Sequence, residues 1–100
     1  MARTSAYIKQ YVMSVEATIQ RVRDGIISDL LKLVKKYEPL RAFDPQQYIK
    51  NVEEDIGLYL DVIKSQPTMQ EFFSLCKVDQ EVFIREISDV VMTMLLAPFS

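Results

Sequence analysis

The chain has 100 residues, of which 49% are hydrophobic and 26% charged, and its formal net charge is −2 at pH 7. That length fits one domain, which we take as residues 1–100, and the composition is that of a compact chain rather than a disordered one. The absence of histidine and the presence of one cysteine exclude histidine-assisted nucleophilic catalysis, a disulfide within the chain and a thiolate zinc site.

The first predicted element is a long amphipathic helix that begins near Thr4 or Ser5 and ends at Tyr37. Apolar residues recur along it at steps of four and three, which is typical of one buried helix face. This stripe consists of Ile8, Val12, Val15, Ile19, Val22, Ile26, Leu30, Leu33 and Tyr37. It keeps its phase across Gly25, so we expect one continuous helix with a bend there at most. Pro39 is expected to end the segment.

Three further helices are predicted from their N-terminal capping signals. Asp44 is expected to cap a helix over 45–64. Thr68 opens a short third helix through Cys76, whose thiol we expect to be buried. Asp79 caps a fourth helix over 80–96, whose wide apolar arc predicts the most buried helix of the set.

The residues expected to pack from the three later helices are Ile49, Val52, Ile56, Tyr59, Leu60, Ile63, Phe72, Phe73, Leu75, Val82, Phe83, Ile87, Val90, Val91, Met94 and Leu95. No stretch has the alternation of a strand. The sequence therefore predicts an all-α fold, a bundle of about four helices with one long N-terminal helix.

Charge divides unevenly along the chain. Residues 1–50 carry nine basic and five acidic residues, whereas residues 51–100 carry three basic and nine acidic ones. On a helical projection, Arg21, Lys32, Lys35 and Lys36 fall opposite the apolar stripe and predict an exposed basic strip. Such a strip suits contact with a phosphate backbone without sequence preference. The alternative is a solvated helix face with no partner.

A helical chain of this length, with a long basic-faced first helix and no catalytic residues, resembles the small subunit of Cascade-type CRISPR effector complexes. The resemblance covers about Ala6 to Leu96 and rests on the basic strip and on the capped helices at Asp44, Thr68 and Asp79. It implies a non-enzymatic subunit of a ribonucleoprotein complex in antiviral defence. Its partners would be larger protein subunits, copies of itself, and the backbone of guide RNA or target DNA.

The nucleic-acid-binding candidates are assigned from the basic face and not from a family motif. They are Lys9, Arg21, Arg23, Lys32, Lys35 and Lys36, with Arg41 and Lys50 as secondary candidates. The acidic second half of the chain departs from the resemblance, because it does not suit contact with nucleic acid on more than one face.

A different class of function is also compatible with the sequence. The chain could be a helical protein-interaction module, such as a regulator, an adaptor or a viral accessory protein, that dimerises through the long first helix. An enzyme would depend on Asp, Glu, Lys or Tyr alone for acid–base chemistry. For either of the first two functions we expect a cytoplasmic protein without a membrane span, a cofactor, a metal site or a small-molecule substrate.

Overall fold

The computed structural model describes the backbone of residues 2–97 and the side chains of residues 14–97. Its elements are α1 (Ala2–Val34), a turn of 3₁₀ helix (Lys35–Tyr37), α2 (Glu38–Phe43), α3 (Pro45–Ser65), α4 (Pro67–Leu75) and α5 (Gln80–Leu96). The predicted all-α bundle with one long N-terminal helix is confirmed.

The first helix is continuous through Gly25, as the unbroken phase of its stripe predicted. It begins at Ala2, earlier than Thr4 or Ser5, and its α-helical part ends at Val34 rather than at Tyr37. The long helix ends before Pro39, as predicted, but the chain stays helical there, because proline occupies the first turn of the new helix α2. The N–H that proline lacks has no helical partner in a first turn, so proline is tolerated there.

The predicted caps of α3 and α5 are confirmed. The Asp44 carboxylate accepts a hydrogen bond from the Gln47 backbone N–H at 3.2 Å. The Asp79 carboxylate accepts one at 3.0 Å from the Glu81 backbone N–H, and another from the next residue. The prediction that Thr68 caps α4 is wrong: Pro67 is the first residue of that helix, and its N-cap residue makes no side-chain hydrogen bond.

The core lies where α1, α3 and α5 meet. The Tyr37 side chain contacts Asp55, and Tyr59 contacts Asp29, so α3 runs antiparallel to α1. The buried core residues are Ile26, Leu30, Val34, Tyr48, Val52, Ile56, Leu60, Phe73, Phe83, Ile87 and Val91. At the α4 end, Phe73 packs edge-on against Phe83 with ring centroids 5.5 Å apart.

Of the apolar residues predicted for α5, Phe83, Ile87 and Val91 are buried in the core. Only part of its apolar arc faces α1 and α3, and Val82, Val90 and Met94 are exposed. Leu75 on α4 is likewise exposed, and Cys76 is only partly buried. Among the residues predicted for α3, Ile49, Tyr59 and Ile63 are only partly buried, whereas Tyr48, which the stripe omitted, is fully buried.

Gly25 and Gly57 are exposed positions inside helices where a side chain has room. A Cβ built at either position meets nothing within 4 Å. Gly25→Ala and Gly57→Ala should each raise the free energy of unfolding by about 0.5–1 kcal/mol, because alanine has less backbone freedom to lose on folding. Equilibrium urea denaturation checks this. A lower unfolding midpoint for Gly25→Ala would mean that the helix needs glycine there.

Candidate interaction surfaces

The N-terminal part of α1 reaches beyond the hydrophobic core. A helix of 33 residues is about 50 Å long, and the molecule measures 63 Å along its longest axis. Among the α1 side chains that the structure describes, from Ser14 onward, the first buried one is Ile26, while Ile19 and Val22 are only partly buried against the core. From Ser14 to Thr18, every residue except the half-buried Val15 is exposed. We call residues 2–18 the overhang.

The elongated shape agrees with this arrangement. The radius of gyration is 17.1 Å, against about 13 Å for a compact domain of this length. In the sequence, Ile8, Val12 and Val15 continue the register of the stripe that further along supplies Ile26 to the core. The overhang therefore carries an amphipathic pattern where none of the described residues contributes a core contact.

Three of the predicted basic residues are exposed: Arg21 and Lys32 on α1, and Lys35 in the 3₁₀ turn that follows it. Neither an ion pair nor a side-chain hydrogen bond joins any of them to another described residue. Lys32 and Lys35 border a shallow groove along α1 that also includes Asp24. The exposed part of the basic strip thus contains a carboxylate.

Arg23 and Arg41 both form ion pairs within the chain. The half-buried Arg23 guanidinium lies 3.3 Å from the Glu86 carboxylate on α5 and 6.0 Å from the centre of the Phe83 ring. Arg41 lies 3.0 Å from the Glu38 carboxylate one turn earlier in α2. These contacts join α1 to α5 and link the ends of α2, so neither arginine belongs to an open basic face.

Lys36 is the clearest correction to the predicted basic strip. Its ammonium lies 3.0 Å from the Asp55 carboxylate on α3, and the Tyr37 hydroxyl donates a hydrogen bond to the same carboxylate at 2.8 Å. The hydrogen bond from Tyr37, followed by that from Lys36, holds the pKa of Asp55 below its ordinary value. The hydrogen bond to Asp55 raises the pKa of Lys36 and that of Tyr37. Lys36 therefore fastens the end of α1 to α3.

The remaining two candidates lie apart from these residues. Lys50 is exposed on α3, a different helix from Arg21, Lys32 and Lys35. Lys9 lies outside the residues whose side chains the structure describes. The structure thus leaves three of the eight predicted residues exposed on α1 and the turn that follows it, and uses three others in ion pairs.

The Asp55 network predicts how stability depends on pH. Because the pKa of Asp55 is lower in the folded chain than in the unfolded one, its contribution is present above the unfolded pKa and is lost as pH falls through the folded pKa. Asp55→Asn should therefore lower the free energy of unfolding at neutral pH and flatten its decline in acid. Urea denaturation as a function of pH measures both. If the unfolding free energy of the variant fell in acid as steeply as that of the unmodified chain, the assignment of this pH dependence to Asp55 would be contradicted.

An apolar groove lies between α1 and α3. It is lined by Leu33, Asp55, Leu58, Tyr59 and Val62. Leu58 and Val62 stand one turn apart on α3 and are 61% and 59% exposed. Leu58 and Val62 thereby form one contiguous apolar patch rather than two isolated side chains. We call this groove the Leu58 groove.

The Leu58 groove was not predicted from the sequence, although the sequence carries a signal for it. Leu58 and Val62 are apolar residues four apart that fall outside the predicted stripe of α3. The Tyr59 hydroxyl donates a hydrogen bond to Asp29 at 3.4 Å across the two helices. Burial, and then the charge of Asp29, raises the pKa of Tyr59. This contact fixes the two walls of the groove relative to each other.

A scan against protein-family models, a search of curated proteins and a search of solved structures each found no match. Over the described residues, no helix combines the length and hydropathy that a membrane span requires. Residues 14–97, whose side chains the structure describes, contain no group of three Cys, Asp or Glu side chains placed to hold a metal ion. Fold and surfaces together define an all-α bundle with a projecting amphipathic helix.

Proposed function

We propose that this chain is a non-enzymatic helical interaction module that associates with copies of itself through the overhang of α1. The supporting observation is the mismatch between α1 and the core: α1 begins at Ala2, but Ile26 is its first buried side chain among the described residues 14–34. In the sequence, the apolar register continues N-terminal to Ile19, through Val15, Val12 and Ile8.

Physical chemistry favours a partner for such a segment. Most of the stability of a helix in a protein comes from packing its amphipathic face, so a helical extension with an uncovered apolar face is weakly stabilised. Covering apolar surface gains about 25 cal/mol for each Å² removed from water. A second copy of the chain supplies apolar surface at the same concentration and without another gene product. Self-association is therefore the simplest way to stabilise the overhang.

Sedimentation velocity on paired variants tests this function. Ile8→Glu/Val12→Glu places two charges on the apolar register of the overhang, whereas Gln10→Glu/Ser14→Glu places two charges on its opposite face. We expect the first variant to be monomeric and the second to associate like the unmodified chain. Circular dichroism confirms that both retain the bundle. Equal association of the two variants would rule out the overhang as the contact.

Nucleic-acid backbone binding is a second candidate, favoured by the exposed positions of Arg21, Lys32 and Lys35. Three exposed cations that have no ion-pair partner among the described residues are available to phosphates. This proposal keeps the likeness to a Cascade-type small subunit, but with a smaller set of residues. Arg23, Lys36 and Arg41 leave it, because each already pairs with a carboxylate.

Fluorescence anisotropy with a labelled duplex tests the second candidate. Each phosphate neutralised should contribute a slope of about −0.9 to log affinity against log salt. Arg21→Glu/Lys32→Glu/Lys35→Glu should abolish binding at low salt. Lys64→Glu/Lys77→Glu/Arg85→Glu makes the same change of net charge elsewhere on the chain and should retain much of it. Equal loss in both would mean that only net charge matters.

A further inference from the structure

The Leu58 groove has the shape and chemistry to receive an amphipathic helix. Leu58 and Val62 present two aliphatic side chains at a spacing of four along α3, and Leu33 and Tyr59 complete an apolar lining. Helices pack by setting such four-residue ridges into the grooves of a neighbour. The overhang carries the same spacing in its sequence, at Ile8 and Val12.

The part of α3 that carries the groove and the overhang have opposite net charges, which favours their attraction. Residues 51–63 of α3 hold four acidic residues and no basic one. Asp55 is engaged by Lys36, and the other three, Glu53, Glu54 and Asp61, are exposed without an ion-pair partner among the described residues. The overhang, residues 2–18, holds two basic residues, Arg3 and Lys9, and one acidic residue, Glu16. Complementary charge favours a basic helix over an acidic one on this face.

A chain cannot fill its own Leu58 groove with its own overhang. Leu33 in the groove and Val12 in the overhang lie on the same continuous helix, 21 residues apart, which is about 32 Å at 1.5 Å per residue. The occupant must therefore come from a second molecule. Each chain then offers two different surfaces, an overhang and a groove, and such a contact joins copies head to tail.

We propose that the overhang of one copy docks in the Leu58 groove of the next, which gives a heterologous, head-to-tail assembly. This inference rests on the proposed self-association and names the surface that receives the overhang. It differs from symmetric pairing of two first helices, in which the groove has no part.

Paired substitutions on α3 test the groove separately from the overhang. Leu58→Glu/Val62→Glu adds two negative charges in the groove, and Gln46→Glu/Lys50→Gln lowers the net charge by the same two units on another face of α3. We expect the groove variant to associate about a hundredfold more weakly than the unmodified chain, because it places charges against apolar residues. The control should associate normally. If circular dichroism shows that Leu58→Glu/Val62→Glu has lost its helices, Leu58→Ser/Val62→Ser is used in its place.

Mixing then separates head-to-tail docking from symmetric pairing. Ile8→Glu/Val12→Glu retains an intact groove, and Leu58→Glu/Val62→Glu retains an intact overhang. An equimolar mixture of these two monomeric variants should form a complex of one chain of each, because one complete contact remains between them. Symmetric pairing predicts no complex in the mixture.

Each result has one meaning. If the groove variant associates like the unmodified chain while the overhang variant does not, self-association stands and the Leu58 groove is not its receptor. If the mixture stays monomeric, the head-to-tail contact is wrong. If the overhang variant itself associates normally, the proposed function fails together with this inference.

Discussion

Phe83→Ala should lower the free energy of unfolding by about 3–5 kcal/mol, the usual cost of truncating a buried aromatic side chain. Phe83 is 2% exposed, and its ring centroid lies 5.5 Å from those of Phe72 and Phe73 on α4. The Arg23 guanidinium of α1 covers the same ring at 6.0 Å. One side chain thus joins three helices, and its loss leaves a cavity where they meet.

Phe43→Ala is the matched control for that substitution. Phe43 ends α2 and is 88% exposed, so its removal should change the free energy of unfolding by no more than about 0.5 kcal/mol. Equilibrium urea denaturation, followed by circular dichroism, compares the two variants. A similar loss in both would contradict the assignment of Phe83 to the core.

Leu30→Ala should lower the free energy of unfolding by about 2–5 kcal/mol. Leu30 is fully buried near the C-terminal end of α1 and belongs to the core cluster shared with α3 and α5. The loss includes both the transfer of the missing methyl groups and the cavity that the neighbouring helices leave unfilled. The size of the loss reports how firmly the C-terminal half of α1 is held.

Leu58→Ala makes the same chemical change at an exposed position. Because Leu58 is 61% exposed, we expect the unfolding free energy of the monomer to change by about 0.5 kcal/mol or less. Its effect should fall on association instead. A loss at Leu58 as large as that at Leu30 would mean that Leu58 serves the fold rather than a partner. Denaturation at a concentration where the chain is monomeric separates an effect on folding from an effect on association.

The fold was predictable where local signals were strong. The caps at Asp44 and Asp79 combine a side-chain acceptor with a following helical pattern, and both helices begin where the sequence indicated. The unbroken phase of the stripe across Gly25 correctly predicted a continuous α1. The start of α4 was misplaced because two start signals compete there, and Pro67 precedes Thr68.

Burial was harder to predict than helicity. Helical periodicity identifies the centre of an apolar face but not its edges, which depend on where neighbouring helices lie. Val90 falls just beyond the contact with α1 and is exposed, whereas Tyr48 lies at the edge of the α3 stripe and is fully buried. These outcomes depend on packing between distant segments, which the local pattern does not encode.

The candidate surfaces were likewise predictable only in part from the sequence. Composition and projection identified an exposed basic face on the predicted first helix, and Lys32 and Lys35 are exposed. They did not reveal that Lys36 meets Asp55 or that Arg23 meets Glu86, because each pair joins helices far apart in the sequence. A positive charge opposite an apolar stripe is therefore not necessarily free.

The molar mass of the unmodified chain in solution tests the central claim most directly. Multi-angle light scattering over a range of concentrations should give a mass that rises with concentration from one chain of 11.6 kDa to two or more. The rise should vanish for Ile8→Glu/Val12→Glu. A mass of one chain at every concentration would contradict self-association through the overhang.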